Sequence, residues 1–199
     1  MEVTRLKPEQ RNAAAILLAK ALEKDASSIY RFPKEASRHR KLRWFHKWLL
    51  KQALRTGVVY ATEPELAGVA VWMPPGAPKL SLNGLLLAPL FVGFRSARRI
   101  QLSLKAMDKV HARAIPSKHW HLIVVGVDPA HQGKGVGSIL MKYALERADE
   151  DGTACYLETT SKAGRKTFKQ FGFEAVGDAA GMRALPTWGM VRPAKRDRS

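Results

Sequence analysis

A single cysteine, Cys155, leaves no partner for an internal disulfide and excludes a cysteine cluster that could bind metal. This usage suits a reducing compartment, and no metal is expected. Long hydrophobic runs are missing too. A membrane-spanning helix needs roughly 18 uninterrupted apolar residues, and the nearest candidate, Leu85 to Phe94, is too short. Near Met1 there is neither the basic flank nor the apolar run of an export signal. These absences predict a cytoplasmic protein with no membrane partner. Acidic residues are scarce as well: 17 Asp and Glu stand against 34 Lys and Arg, a formal net charge of +17.

The excess is uneven. Residues 1–100 hold 18 Lys and Arg against 7 Asp and Glu, leaving 16 against 10 for residues 101–199. Arg43, Lys47, Lys51 and Arg55 recur every four residues and line one helical face. A solvated face is the simpler reading of this stripe, and contact with RNA or another polyanion is the alternative. A polyanionic cofactor is attracted in either case.

What is present fits one domain over residues 1–199. At this length a chain buries roughly 70% of the surface its unfolded form exposes, and 46% hydrophobic residues can fill such a core. Glu2 to Leu6 reads as a first strand. Pro8 opens a helix that carries Ile16, Leu17 and Leu18 and fades near Asp25 to Ser28. A second helix, about 35–55, turns Leu42, Phe45 and Leu49 inward and stops at Gly57. Val58 to Thr62 and Leu66 to Met73 form a hairpin around Glu63-Pro64-Glu65. Residues 80–113 read as helical with a break. His119 to Val127 is a nearly continuous apolar strand, the pattern of the middle of a sheet. A helix follows with Val136, Ile139, Leu140, Tyr143, Ala144 and Ala148 as its apolar stripe. Then come a strand at Ala154 to Thr159, a short helix at Lys162 to Gln170, and closing strands at Phe173 to Gly177 and Trp188 to Arg192.

The chemistry is densest in Val127-Asp128-Pro129-Ala130-His131-Gln132-Gly133-Lys134-Gly135-Val136-Gly137-Ser138. A strand ends, a proline blocks its extension, and three alternating glycines open a helix. Glycines permit positive φ and close approach of the backbone, while the first helical turn leaves N–H groups unpaired at the positive end of the dipole. This is a cradle for a diphosphate. The spacing excludes two common owners, because G-x-G-x-x-G fails at Ser138 and G-x-x-x-x-G-K-[ST] is absent.

The stretch resembles motif A of the GNAT acetyltransferases, Q/R-x-x-G-x-G/A, through Gln132, Gly135 and Gly137. The likeness extends to His119-Trp120-His121-Leu122, Tyr156-Leu157-Glu158-Thr159, Phe171-Gly172-Phe173 and Trp188-Gly189-Met190-Val191-Arg192, which look like the puromycin N-acetyltransferase-like branch. Gly68 to Gly76 and Tyr30-Arg31-Phe32-Pro33 look similar too. The resemblance implies an α/β GNAT (acyl-CoA N-acyltransferase) fold, a mixed split β-sheet flanked by helices. Motif A and the CoA site would lie in 118–192 and the acceptor-side elements in 8–113. It implies that acetyl-CoA lies in the split, its pantetheine arm on the backbone of Val125, Gly126 and Val127. Its diphosphate would rest on Gln132, Gly133, Lys134, Gly135, Val136, Gly137 and Ser138. A small-molecule amine is the implied acceptor, and a monomer or homodimer the expected assembly.

An amine attacks a thioester only when neutral, so a base, an oxyanion site and a route for the departing thiol are needed. Glu158, at the end of a strand bordering the split, is the first candidate for the base, followed by His121 and His119. Tyr30 and Trp72 are candidates for the acceptor pocket through the resemblance, and Cys155 reads as a small hydrophobe. The family's N-x-x-F-Y-x-x-x-G-F segment appears here as Gly164 to Phe173, with Phe168 in place of the acid tyrosine and Gly164 in place of the asparagine. Phe168 cannot donate a proton. Free thiols have a pKa near 8.5, so expelling the thiolate at neutral pH costs only about 2 kcal/mol more than expelling the thiol.

Overall fold

The computed structural model describes residues 1–78, 80, 82–177, 180–182 and 185–195. Strand β1 (Glu2–Arg5) leads through a short turn into α1 (Arg11–Ala21). Helix α1 ends at Ala21, ahead of the fade expected near Asp25 to Ser28, and a new helix, α2 (Ala26–Arg31), starts there because the Asp25 carboxylate accepts from the Ser27 N–H at 2.8 Å and caps it. Helix α3 (Glu35–Thr56) buries Leu42, Phe45 and Leu49, and Arg43, Lys47, Lys51 and Arg55 are all exposed on its outer side. The hairpin forms as β2 (Val58–Glu63) and β3 (Gly68–Met73), paired Tyr60 to Ala70. The break in the next helical region falls at Gly93, whose φ of +80° ends α4 (Ala88–Val92) and starts α5 (Phe94–Ala114).

Strand β4 (Trp120–Val127), helix α6 (Val136–Glu150), β5 (Cys155–Thr159) and α7 (Lys162–Lys169) follow as the sequence pattern indicates. The end of the chain departs from it. β6 is only Glu174–Ala175, β8 begins early at Leu185 and runs to Arg192, and β7 (Ala180–Met182) pairs beside it. Ile139 is a second departure, 39% exposed where an inward position was expected. At 100° per residue it lies about 140° round the helix from Ala144, and Met141 and Leu145 fill the core there instead.

The strands run in the order β1-β2-β3-β4-β5-β8-β6 and are antiparallel except for β4 and β5. This is the mixed, helix-flanked sheet expected. On one face α6 packs Val136, Leu140, Ala144 and Ala148 over Tyr60, Ala70, Trp72, Leu122 and Leu157. On the other, α1 and α3 cover Val59, Ala61, Val69 and Val71. A further cluster joins Phe32, Phe45, Trp48, Val92 and Ile100 from helices α3 to α5 and the α2–α3 junction.

Two irregularities open the sheet. β4 bulges against β3: Val71 faces Val124 while its neighbour Trp72 faces Leu122, so Ile123 is the extra residue. The bulge resets the alternation, and Leu122 and Val125 both pack toward α6 while Ile123 and Val124 pack toward the other helices. The second is a fork. β4 pairs with β5 only from Trp120–Cys155 to Leu122–Leu157, after which the two strands part.

Candidate functional site

The fork leads into a cavity of about 600 Å³ on the face opposite α6. Its walls take Arg31 from α2, Phe45, His46 and Trp48 from α3, and Met107 and His111 from α5. The floor is β4, from His121 to Val125, with Glu158 and Thr159 from β5 and Phe168 from α7.

Period-two alternation sets what β5 offers: Leu157 points into the α6 core, while Tyr156 and Glu158 take the cavity side. Glu158 comes one residue after the last β4–β5 pair, so its carboxylate stands at the fork. The imidazole Nε2 of His121 donates to its Oε2 at 2.8 Å, with side-chain exposures of 15% and 10%, enough burial to make this pair strongly directional.

A chain of rings extends from this pair. His111 stacks on Tyr156 at 4.4 Å and an interplanar angle of 9°, and its ring centroid is 4.5 Å from that of His121. His111 Nε2 lies 2.7 Å from His119 Nε2, and the Ser117 carbonyl accepts from His119 Nδ1 at 2.6 Å. That last bond places the proton of a neutral His119 on Nδ1, so its Nε2 accepts from His111. Burial holds His119 below the ordinary histidine range despite the carbonyl. Burial first, then the Glu158 carboxylate, push the Tyr156 phenol far above its usual range, which excludes it as a base. Helix α5 approaches this closely because Gly189 lies beneath it: a Cβ there would come 3.1 Å from Ala114 Cβ and 3.2 Å from the Tyr156 hydroxyl.

The glycine turn lies beyond the Val125 end of the floor. Gly133 and Gly135 have φ of +77° and +81°, the left-handed region that the three-glycine pattern predicts. No side chain caps α6 among the described residues, so its first N–H groups face outward between the exposed Gly133, Lys134, Gly135 and Ser138. Gln132 ties the turn to the strand by donating its side-chain N–H to the Val127 carbonyl at 3.1 Å, and Val136 anchors the helix start in the core. Val125 and Val127 pack their side chains toward α6, and Gly126 is buried against Leu18.

Other sequence candidates fall elsewhere. Trp72 is wholly buried under α6, on the sheet face opposite the cavity. Tyr30 lies outside the cavity wall, its ring beneath the Arg99 guanidinium at 5.6 Å. Cys155 is buried with its thiol pushed up to about 12, so it stays protonated and behaves as a small hydrophobe. Phe168 does line the cavity, and a Cβ on Gly164 would overlap the Thr159 hydroxyl, so the two departures in this segment have structural consequences at the site.

The sequence reading missed Arg31, His46 and His111. His111 ends a run Ile100–Leu104–Met107–His111 spaced four, three and four along α5, the period of one inward face. That spacing was a usable signal. Arg31 carried none: it is 8% exposed, donates through Nε to Ser103 Oγ at 2.9 Å and sits over the Phe45 ring at 5.2 Å.

The split sheet thus holds a carboxylate–imidazole pair in the cavity at its fork and, beyond the Val125 end of the floor, a glycine turn that opens α6. The profile of the acetyltransferase (GNAT) family matches residues 19–173. The chain belongs to that family. It is 26% identical over 118 residues to an uncharacterized N-acetyltransferase of Schizosaccharomyces pombe, a match covering 55% of this chain and 48% of that protein. The chain thus spans about half the length of this curated relative. A Corynebacterium glutamicum structure described as histone acetyltransferase HPA2 and related acetyltransferase superposes with a TM-score of 0.72 at 23% identity, covering 100% of this chain and 98% of that one. The PaiA N-acetyltransferase of Thermoplasma acidophilum, solved in complex with coenzyme A, does so with a TM-score of 0.60 at 14% identity, covering 96% and 98%. Among the described residues no helix is long and apolar enough to cross a membrane.

Proposed function

We propose that the chain is one cytoplasmic domain that transfers the acetyl group of acetyl-CoA to a primary amine on a small molecule. The observation that carries this reading is Glu158, hydrogen-bonded to His121 at the fork and facing the cavity. In this reading the diphosphate of acetyl-CoA rests on the N–H groups of 132–138, and its pantetheine arm follows the free edge of β4 along Val125 to Val127. The thioester then reaches the fork.

Glu158 accepts a proton from the acceptor ammonium, directly or through one water, with His121 holding the carboxylate in place. The neutral nitrogen attacks the thioester carbon, the C–N bond forms and the oxygen takes the electron pair. Backbone N–H groups of β4 beside the fork stabilise that oxyanion. Collapse breaks the C–S bond, CoA leaves as thiolate, and the nitrogen sheds its second proton to water to give the neutral amide. Phe168 offers no proton to the thiolate, and at neutral pH none is required.

Release of CoA thiol over a panel of primary amines, with the acetylated product identified by mass, tests this function; binding of acetyl-CoA with no turnover of any amine contradicts it. Phe168 and Gly164 favour a second reading, a CoA-binding protein with weakened catalysis. Phe168→Tyr separates the two: restoring a donor raises a crippled rate sharply and leaves a competent one nearly unchanged. The exposed stripe Arg43, Lys47, Lys51 and Arg55 motivates a third reading, an RNA- or ribosome-associated acetyltransferase, which requires salt-dependent binding where a solvated face shows none.

A further inference from the structure

We infer that the histidine cluster on the cavity wall is a binding site for a zinc ion, held by His111, His121 and Glu158. One ligand atom from each of the three lies within 4.8 Å of the others. All three line the cavity, are neither fully buried nor exposed, and come from three separate elements, α5, β4 and β5. Sequence spacing therefore conceals the set, and folding assembles it.

The donor chemistry selects the ion. Two imidazoles and one carboxylate suit borderline cations, zinc foremost, and not magnesium or calcium, which take oxygen ligands. Tetrahedral zinc with Zn–N and Zn–O bonds near 2.0–2.2 Å needs ligand atoms about 3.3 Å apart. The His121–Glu158 contact of 2.8 Å opens by about half an ångström, and the widest pair closes by up to about 1.5 Å, changes within the reach of small side-chain rotations. The supports are already built. His111 is stacked flat on Tyr156, and His119, 2.7 Å from His111 and fixed by the Ser117 carbonyl, stands as outer-shell partner or fourth ligand. The cavity leaves the remaining position open to water.

Zinc binding here rests on the ligand set alone. Its consequence rests on the proposed role of Glu158: an ion that takes this carboxylate removes the base, so zinc switches transfer off while acetyl-CoA still binds at the distant turn.

The test is calorimetric titration of metal-free chain with Zn²⁺, repeated with Co²⁺ to record its visible d–d bands. The expected result is one ion per chain with a tetrahedral or five-coordinate Co²⁺ spectrum. Affinity should drop at least about 100-fold in His111→Ala/His121→Ala, more than an outer-shell loss gives. His39→Ala/His131→Ala, which removes the histidines paired with Glu23 and Glu65, should bind as before. Glu158→Gln, nearly isosteric, serves as a second ligand variant, and retained acetyl-CoA binding reports that each variant folds. No saturable binding, or affinity retained in the ligand variants, overturns the site. A chain that binds zinc but shows no transfer with any amine refutes the catalytic reading and leaves the metal site standing.

Discussion

His121 Nε2 lies 2.8 Å from Glu158 Oε2 although the two residues are 37 apart in sequence, because β4 and β5 are parallel neighbours up to the residue before Glu158. The bond fixes the carboxylate where the strands part. His121→Ala removes the orienting donor and leaves the base, so kcat should fall by about 10- to 100-fold, at or below the roughly 10²- to 10⁴-fold that the acid–base group itself contributes, with acetyl-CoA affinity unchanged. A mainly structural role for His121 would instead lower the unfolding temperature and leave kcat alone.

Gly135 has a φ of +81° and a Cβ there meets nothing within 4 Å, so Gly135→Ala isolates the backbone effect. Left-handed conformation costs a residue with a Cβ about 1–2 kcal/mol. The variant should be less stable by that amount and bind acetyl-CoA more weakly as the turn relaxes. Thermal unfolding with and without acetyl-CoA measures both, and equal ligand-induced shifts in the variant and the parent exclude the turn from the CoA site.

Gly189→Ala tests how closely α5 must lie on the sheet. Its Cβ would press on Ala114, Val110 and the Tyr156 hydroxyl at 3.1–3.2 Å. Moving α5 shifts His111 off Tyr156, so stability should drop by about 1–3 kcal/mol, as overpacking does. Chemical denaturation gives the number.

His46 gives the fold a pH dependence. Burial, then the charge of Arg31, lower its pKa from 6.5 to about 3. The unfolded chain therefore binds a proton below pH 6.5 that the folded chain refuses until about pH 3. This stability is complete above pH 6.5 and is lost as pH falls toward 3, at about 1.4 kcal/mol per pH unit within that window. In His46→Leu the denaturation curve against pH should be shallower by that slope between pH 4 and 6. Parallel curves contradict a neutral buried His46.

The sequence made the strand–turn–helix unit legible because its signals are local: apolar strand, proline stop, glycine spacing and the Val136–Ala148 stripe. Gly133 and Gly135 take the positive φ their spacing indicates, and Gln132 bonds back to the Val127 carbonyl. The acceptor side was less legible. Tyr30 and Trp72 looked like pocket aromatics, but strand alternation sends Trp72 under α6, and the cap at Asp25 creates the helix that carries Arg31 inward. The meeting of His111, His121 and Glu158 depends on α5 crossing β8 at Gly189, beside Tyr156 of β5, a long-range contact that no local pattern encodes.

The most direct measurement compares single-turnover acetyl transfer with acetyl-CoA affinity in the parent chain and in Glu158→Gln. The account predicts a transfer rate lower by about 10²- to 10⁴-fold, the usual contribution of a general base, with the dissociation constant for acetyl-CoA unchanged. Equal transfer rates in the two proteins would contradict it.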